Sequence, residues 1–138
     1  MAEKLCFLIF TLTLCIFLGG CPGGPVYEDD LGDGYIVIAT DVMQDAAIAK
    51  KQHSGSGGLS IQLVTSSVFA YGRKGDFIIA KQHPWKDWPY GKADTSLTNW
   101  YIVEVASGNV HGPLSENEFQ MLRNKLNLPE EISLKTIQ

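Results

Sequence analysis

Three histidines, His53, His83 and His111, are the side chains best suited to acid–base or metal chemistry in this 138-residue sequence. They stand far apart, and none belongs to a His-x-His or His-Glu-x-x-His pattern, the local spacings by which metal ligands announce themselves. They read as polar residues at strand ends, with no metal site and no cofactor expected. Ser54 and Ser56 lie in Ser54-Gly55-Ser56-Gly57-Gly58, which has neither the Gly-x-Ser-x-Gly order of a nucleophile elbow nor the Lys-Ser/Thr ending of a phosphate loop. Their composition is that of a flexible linker. Asp29-Asp30 and Glu130-Glu131 are sequence neighbours on polar segments, whereas carboxylates that hydrolyse sugars face each other across about 5–10 Å. Glu104, between Val103 and Val105, fits the outward face of an alternating strand. No catalytic residue emerges, and the expectation is a protein that is not an enzyme.

The constellation with most to offer is aromatic. Pro84-Trp85-Lys86-Asp87-Trp88-Pro89-Tyr90 is a proline-bounded loop, and Trp100-Tyr101 opens the segment after it. Trp85, Trp88, Tyr90 and Trp100 supply large, rigid surface of the kind that anchors partners or stacks on sugar rings. The alternative is that the two loop tryptophans lid a core, since buried aromatics dominate the energetics of small domains.

The elements that must position these residues read mostly as β. Tyr35–Thr40 is short, β-branched and bounded by Gly34 and Asp41, while Ala46–Lys51 and Leu59–Val64 are weaker strands. Val68–Tyr71 and Phe77–Lys81 flank Gly72-Arg73-Lys74-Gly75, which reads as a hairpin turn. Trp100–Val105 is the strongest strand, turned by Ser107-Gly108-Asn109 into Val110-His111. Turns this short predict antiparallel neighbours. Ser115 with Glu118 is a capping box, and Leu114 with Phe119 a hydrophobic staple. Phe119, Leu122 and Leu126 mark one buried face, and Asn127 then Pro129 stop the helix. The expected fold is α+β: an antiparallel meander of about five to six strands with one C-terminal helix packed on the sheet, in two layers.

The amino terminus reads as an address. Lys4 precedes Leu5–Leu18, apolar apart from two threonines, and Leu18-Gly19-Gly20-Cys21 follows. A charged start, a short apolar core and a small-residue cut site make a secretory signal. Leu5–Gly20 falls short of the roughly 20 residues a membrane span needs, leaving an uncleaved anchor or a plain secretory signal as the lesser alternatives. Cysteine after Leu-Gly-Gly resembles the lipobox of bacterial lipoproteins. That resemblance implies acylation of the Cys21 sulfur and cleavage ahead of it, and several acyl chains anchor stably where one does not. Pro22 resembles lipoproteins without an inner-membrane retention aspartate, implying the outer membrane where the source has one.

The expected organisation is thus a signal over residues 1–20, lipidated Cys21 with a tether to residue 33, and one α+β domain over 34–138. Cys6, Cys15 and Cys21 all lie in or beside the signal, so the processed domain has no thiol for a disulfide, metal cluster or nucleophile. The net charge of −4 lacks the basic excess that marks nucleic-acid binding.

Val68-Phe69-Ala70-Tyr71, Phe77-Ile78-Ile79-Ala80-Lys81-Gln82, Trp100-Tyr101-Ile102-Val103 and Gly112-Pro113-Leu114-Ser115 with Glu118-Phe119, beneath a lipobox, resemble a family of small bacterial lipoproteins catalogued as a domain of unknown function. The resemblance implies an envelope location and a compact domain, with no catalytic residue to carry over. The functional expectation is a membrane-anchored binding or accessory module with an envelope protein or glycan as partner. The alternatives are an inhibitor of envelope-lytic enzymes, or a small glycan-acting enzyme with Glu104 or a histidine as base.

Overall fold

The computed structural model of the protein describes residues 23–52, 60–87 and 91–137. Among these, nine antiparallel strands form two sheets, and a single α-helix follows the eighth strand. The first sheet is a meander of β1 (Tyr27–Gly32), β2 (Tyr35–Ala39), β3 (Ala47–Lys51) and β4 (Ser60–Val64). The second contains β5 (Val68–Lys74), β6 (Phe77–Gln82), β7 (Asn99–Glu104), β8 (Val110–Leu114) and β9 (Lys135–Thr136), in the order β8-β7-β6-β5-β9.

The α+β class, the antiparallel pairing and the C-terminal helix on a sheet face are all present. The layering is richer than two. Tyr35, Val37, Ile48 and Val64 of the first sheet join Val68, Tyr71, Ile78, Ala80, Tyr101 and Val103 of the second in one buried cluster between the sheets. Ile79 and Ile102 point the other way and form a second cluster with Phe119 and Leu128 beneath the helix. The second sheet is therefore covered on both faces, which is why β6 reads Phe-Ile-Ile-Ala without alternation.

Two local expectations are corrected. Tyr27–Gly32 belongs to the first sheet rather than to a tether, pairing with β2 from Tyr27↔Ala39 to Gly32↔Tyr35. Its period-2 pattern escapes notice because the inward position between Tyr27 and Leu31 is Asp29, a charge where an apolar side chain would signal a strand. The β5–β6 turn is Gly75-Asp76, with Gly75 at φ +58°, while Gly72 lies inside β5 opposite Ile79. Glycine is needed at 72 for approach, not for turning: a Cβ there would sit 2.3 Å from the Ser133 carbonyl oxygen.

The helix α1 (Glu116–Lys125) carries both halves of the expected capping box. It ends in a Schellman motif: Asn127 is left-handed at φ +52°, Asn127 N–H donates to Asn124 and Leu128 N–H donates to Arg123. Phe119 is its buried anchor, stacked on Trp100 with ring centroids 4.3 Å apart.

Candidate functional site

Chain crossing from the first sheet to the second must turn between Val64 and Val68, both in the core, and Thr65–Ser67 makes that corner. The Ser67 carbonyl accepts from His83 N–H (3.1 Å), but those of Thr65 and Ser66 have no ladder to join, so a side chain supplies the donor. Gln82 follows Ile78 and Ala80 on the inward face of β6 and is only 4% exposed. Its Nε2 donates to the Thr65 carbonyl (3.1 Å), Thr65 Oγ1 (2.8 Å) and the Ser66 carbonyl (3.1 Å). Its Oε1 accepts from Asn99 Nδ2 (3.2 Å) and the Tyr101 hydroxyl (3.3 Å). A buried amide used this fully fixes the corner rather than penalising it. Tyr101 is held from behind by Gly112 at φ +148°, where a Cβ would fall 2.4 Å from the Tyr101 ring.

Against this corner lies a cavity of about 460 Å³, within the roughly 300–1,000 Å³ typical of small-molecule sites. It is lined by Gln62 of β4, Thr65 and Ser66 of the corner, Gln82 and Tyr101 of the second sheet, and Pro84 and Trp85 of the loop after β6. Every one of these side chains is neutral. Trp85 is half-buried and its Nε1 is closed off from solvent, so the surface it gives the cavity is carbon. Its backbone pairs with Ala93, and the loop base is tied by Lys86 N–H to the Lys92 carbonyl (2.9 Å) and by Asp94 N–H to the Pro84 carbonyl (2.7 Å). Hydrogen bonds from Ser96 lower the Asp94 pKa, with Lys86 at 3.2 Å adding to the effect.

A second cavity of about 210 Å³ shares Gln62 and Ser66 as walls and extends to Ile38, Thr40, Asp45 and Ala47. A third, of about 130 Å³, is lined by Met43, Phe69, His83 and Ile137 among others and is largely apolar.

Among the described residues, the structure places those that the sequence singled out in different parts of the fold. Trp85 lines the main cavity. Trp100 faces the opposite side of the second sheet, where it packs partly buried against Phe119 with the Lys81 ammonium 4.1 Å from its ring centroid, away from the Trp85 cavity lining. Trp88, Tyr90, His53, Ser54, Ser56 and Cys21 lie outside the described residues. His83 stacks on Phe69 at 4.0 Å, and its Nδ1–H donates to the Leu97 carbonyl at 2.7 Å. Glu104 and His111 meet across the β7–β8 hairpin at 2.6 Å, and this contact is the chief cause lowering the Glu104 pKa. They line none of the three cavities.

Asp29 joins a different cluster, where the β1 edge of one sheet meets the β9 edge of the other. It accepts from the Tyr71 hydroxyl and from Lys135 Nζ at 2.8 Å, while the Tyr27 hydroxyl lies 2.5 Å from that of Tyr71. Lys135, then Tyr71, lowers the Asp29 pKa; burial first, and Asp29 next, drives that of Tyr71 far above the tyrosine range. No cluster of three or more His, Cys, Asp or Glu suited to a metal occurs among the described residues.

Sequence reasoning missed Gln62, Gln82 and the Thr65–Ser66 corner. One signal was available: continuing the alternation of Ile78 and Ala80 by a single step places Gln82 in the core.

No curated protein and no solved structure matches the chain. A sequence family does: residues 32–138, most of the chain and nearly all of the two sheets and the helix, match the family described as "Protein of unknown function (DUF3997)", and the chain belongs to it.

Proposed function

We propose that the protein is a cell-envelope lipoprotein, cut ahead of Cys21 and held at a membrane by acyl chains on that residue, whose folded part is a non-catalytic binding module. The outer membrane is the expected one where the source has two. The observation that carries the binding reading is the cavity at Trp85, the largest of the three, walled by neutral side chains and lined by neither the Glu104–His111 nor the Asp29–Lys135 pair. A hydrolytic site gathers its acid and base around the space the substrate fills, and the described residues lining this cavity supply neither.

Anchoring rests on Lys4, the apolar Leu5–Leu18 and Leu18-Gly19-Gly20-Cys21. No helix among the described residues is long and apolar enough to cross a membrane. With β1 starting at Tyr27, only residues 22–26 separate the proposed anchor from the first strand, a reach of at most about 17 Å. That keeps the sandwich close to the headgroups, and the cavity would meet ligands near the bilayer.

Two measurements test this reading. Intact-mass analysis of membrane-extracted protein is expected to show a chain starting at Cys21 with acyl chains attached; an intact Met1 start or an unmodified Cys21 sulfur would end the lipoprotein reading. Full-length protein is expected to capture envelope material in a manner abolished by Trp85→Ala and indifferent to Glu104→Gln. The reverse pattern favours the glycan-acting enzyme.

A further inference from the structure

We infer that the ligand of the Trp85 cavity is a neutral, hydroxyl-rich chain, an oligosaccharide longer than one ring; this rests on the binding reading above. The wall chemistry carries the first half. Among the described residues no charged side chain lines the main cavity, so an ionic ligand would lose its hydration without gaining a counter-charge from them. The polar groups on offer are amides and hydroxyls. Among the described residues the side chains of Gln62 and Ser66 have no hydrogen-bond partner, and the Thr65 hydroxyl, having accepted from Gln82, keeps its own proton to donate. Trp85, lining the same cavity, gives it carbon surface, the complement of the apolar face of a sugar ring.

Shape carries the second half. The 460 Å³ and 210 Å³ cavities share Gln62 and Ser66 in their walls, so they adjoin on the Gln62–Ser66 segment, one bordered by Trp85 and the other by Asp45. Two chambers on a common wall suit a linear ligand. Among the described residues that line the two cavities, Asp45 is the one with a charged side chain; its carboxylate accepts from hydroxyls and repels anionic chains. One carboxylate also falls short of the facing pair that glycoside hydrolysis uses, so the chain would be held and not cut.

The test titrates the full chain, in a detergent without a sugar headgroup, with chitotetraose, cellotetraose and maltotetraose, following tryptophan fluorescence. Tetragalacturonate and tetra-alanine serve as the anionic and peptide probes. At least one neutral tetrasaccharide is expected to saturate at millimolar concentration or below. Its affinity should stay constant from about 0.05 to 0.5 M salt, there being no charge to screen. Gln62→Ala, which removes an exposed side chain without touching the core, is expected to weaken binding about tenfold or more. The inference is overturned if no neutral tetrasaccharide binds, if tetragalacturonate or tetra-alanine binds more tightly, or if Gln62→Ala leaves affinity unchanged. Should envelope capture still depend on Trp85 in any of those cases, the binding module stands and only its ligand class falls. Should capture prove independent of Trp85, both fall together.

Discussion

Gln82 shows how one side chain decides what a corner of the molecule can do. Its amide satisfies three acceptors of the Thr65–Ser66 crossing and orders Tyr101 and Asn99 from its other end. Gln82→Leu keeps the volume and deletes the donors, leaving the part-buried bonds to the Thr65 and Ser66 carbonyls unmade and the Tyr101 hydroxyl without its acceptor. We expect a loss of about 2 kcal/mol in urea-unfolding free energy, together with a loosened Trp85 cavity. Gln82→Glu is a sharper probe, since an ionised carboxylate cannot donate to those carbonyls and should cost more than the leucine. Equal stability of wild type and the leucine variant would mean that the corner is held by the chain on either side. At this scale the sequence was legible wherever chemistry is local and opaque wherever it is not: Ser115 and Glu118 meet through helical spacing, but nothing in the order of residues brings Gln62 to Trp85.

The helix is the element whose energetics are simplest to address. Ser115 accepts from Glu118 N–H at 3.3 Å, and the Glu118 carboxylate accepts from Ser115 N–H at 2.8 Å. Ser115→Ala is expected to cost about 1 kcal/mol, read from the denaturation midpoint. Because α1 covers only Ile79, Ile102 and their neighbours on the outer face of the second sheet, this variant should leave ligand capture at the Trp85 cavity intact. The strands divide by the same logic. Tyr35–Ala39 and Asn99–Glu104 were readable from β-branched and aromatic runs. Tyr27–Gly32 was hidden by its acids, and Lys135–Thr136 was too short to leave a pattern, because both pair at sheet edges where burial imposes little on composition.

Across the whole molecule, the two sheets are joined at one edge by Asp29, Tyr71 and Lys135, and this cluster predicts how stability responds to acid. Lys135 and Tyr71 lower the folded-state pKa of Asp29 below its ordinary value of 3.8. The corresponding stability is fully present above the unfolded value and is lost as pH falls through the folded one. Unfolding free energy measured from pH 6 downward should therefore drop as the carboxylate range is crossed, and Asp29→Asn should flatten that drop while lowering stability at pH 6. An unchanged slope in the variant would assign the acid sensitivity to other carboxylates, Glu104 and Asp94 first, whose pKa values are also lowered. At alkaline pH the sign reverses: Tyr71 holds its proton above the tyrosine range, so its contribution persists up to pH 10 and declines beyond.

By themselves the residues determined the class of fold, the antiparallel pairing, the helix with both its ends and the membership of a family, because each follows from short-range spacing: alternation, capping and turns. They also determined that no cysteine follows residue 21. Only the tertiary structure decided that the strands split into two facing sheets, that Trp85 lines a cavity while Trp100 lies under the helix, and that Gln82, Gln62 and Ser66 converge beside it. Those outcomes depend on which faces of distant strands meet, and that choice is made by burying apolar area over the whole chain rather than by any segment's own preference.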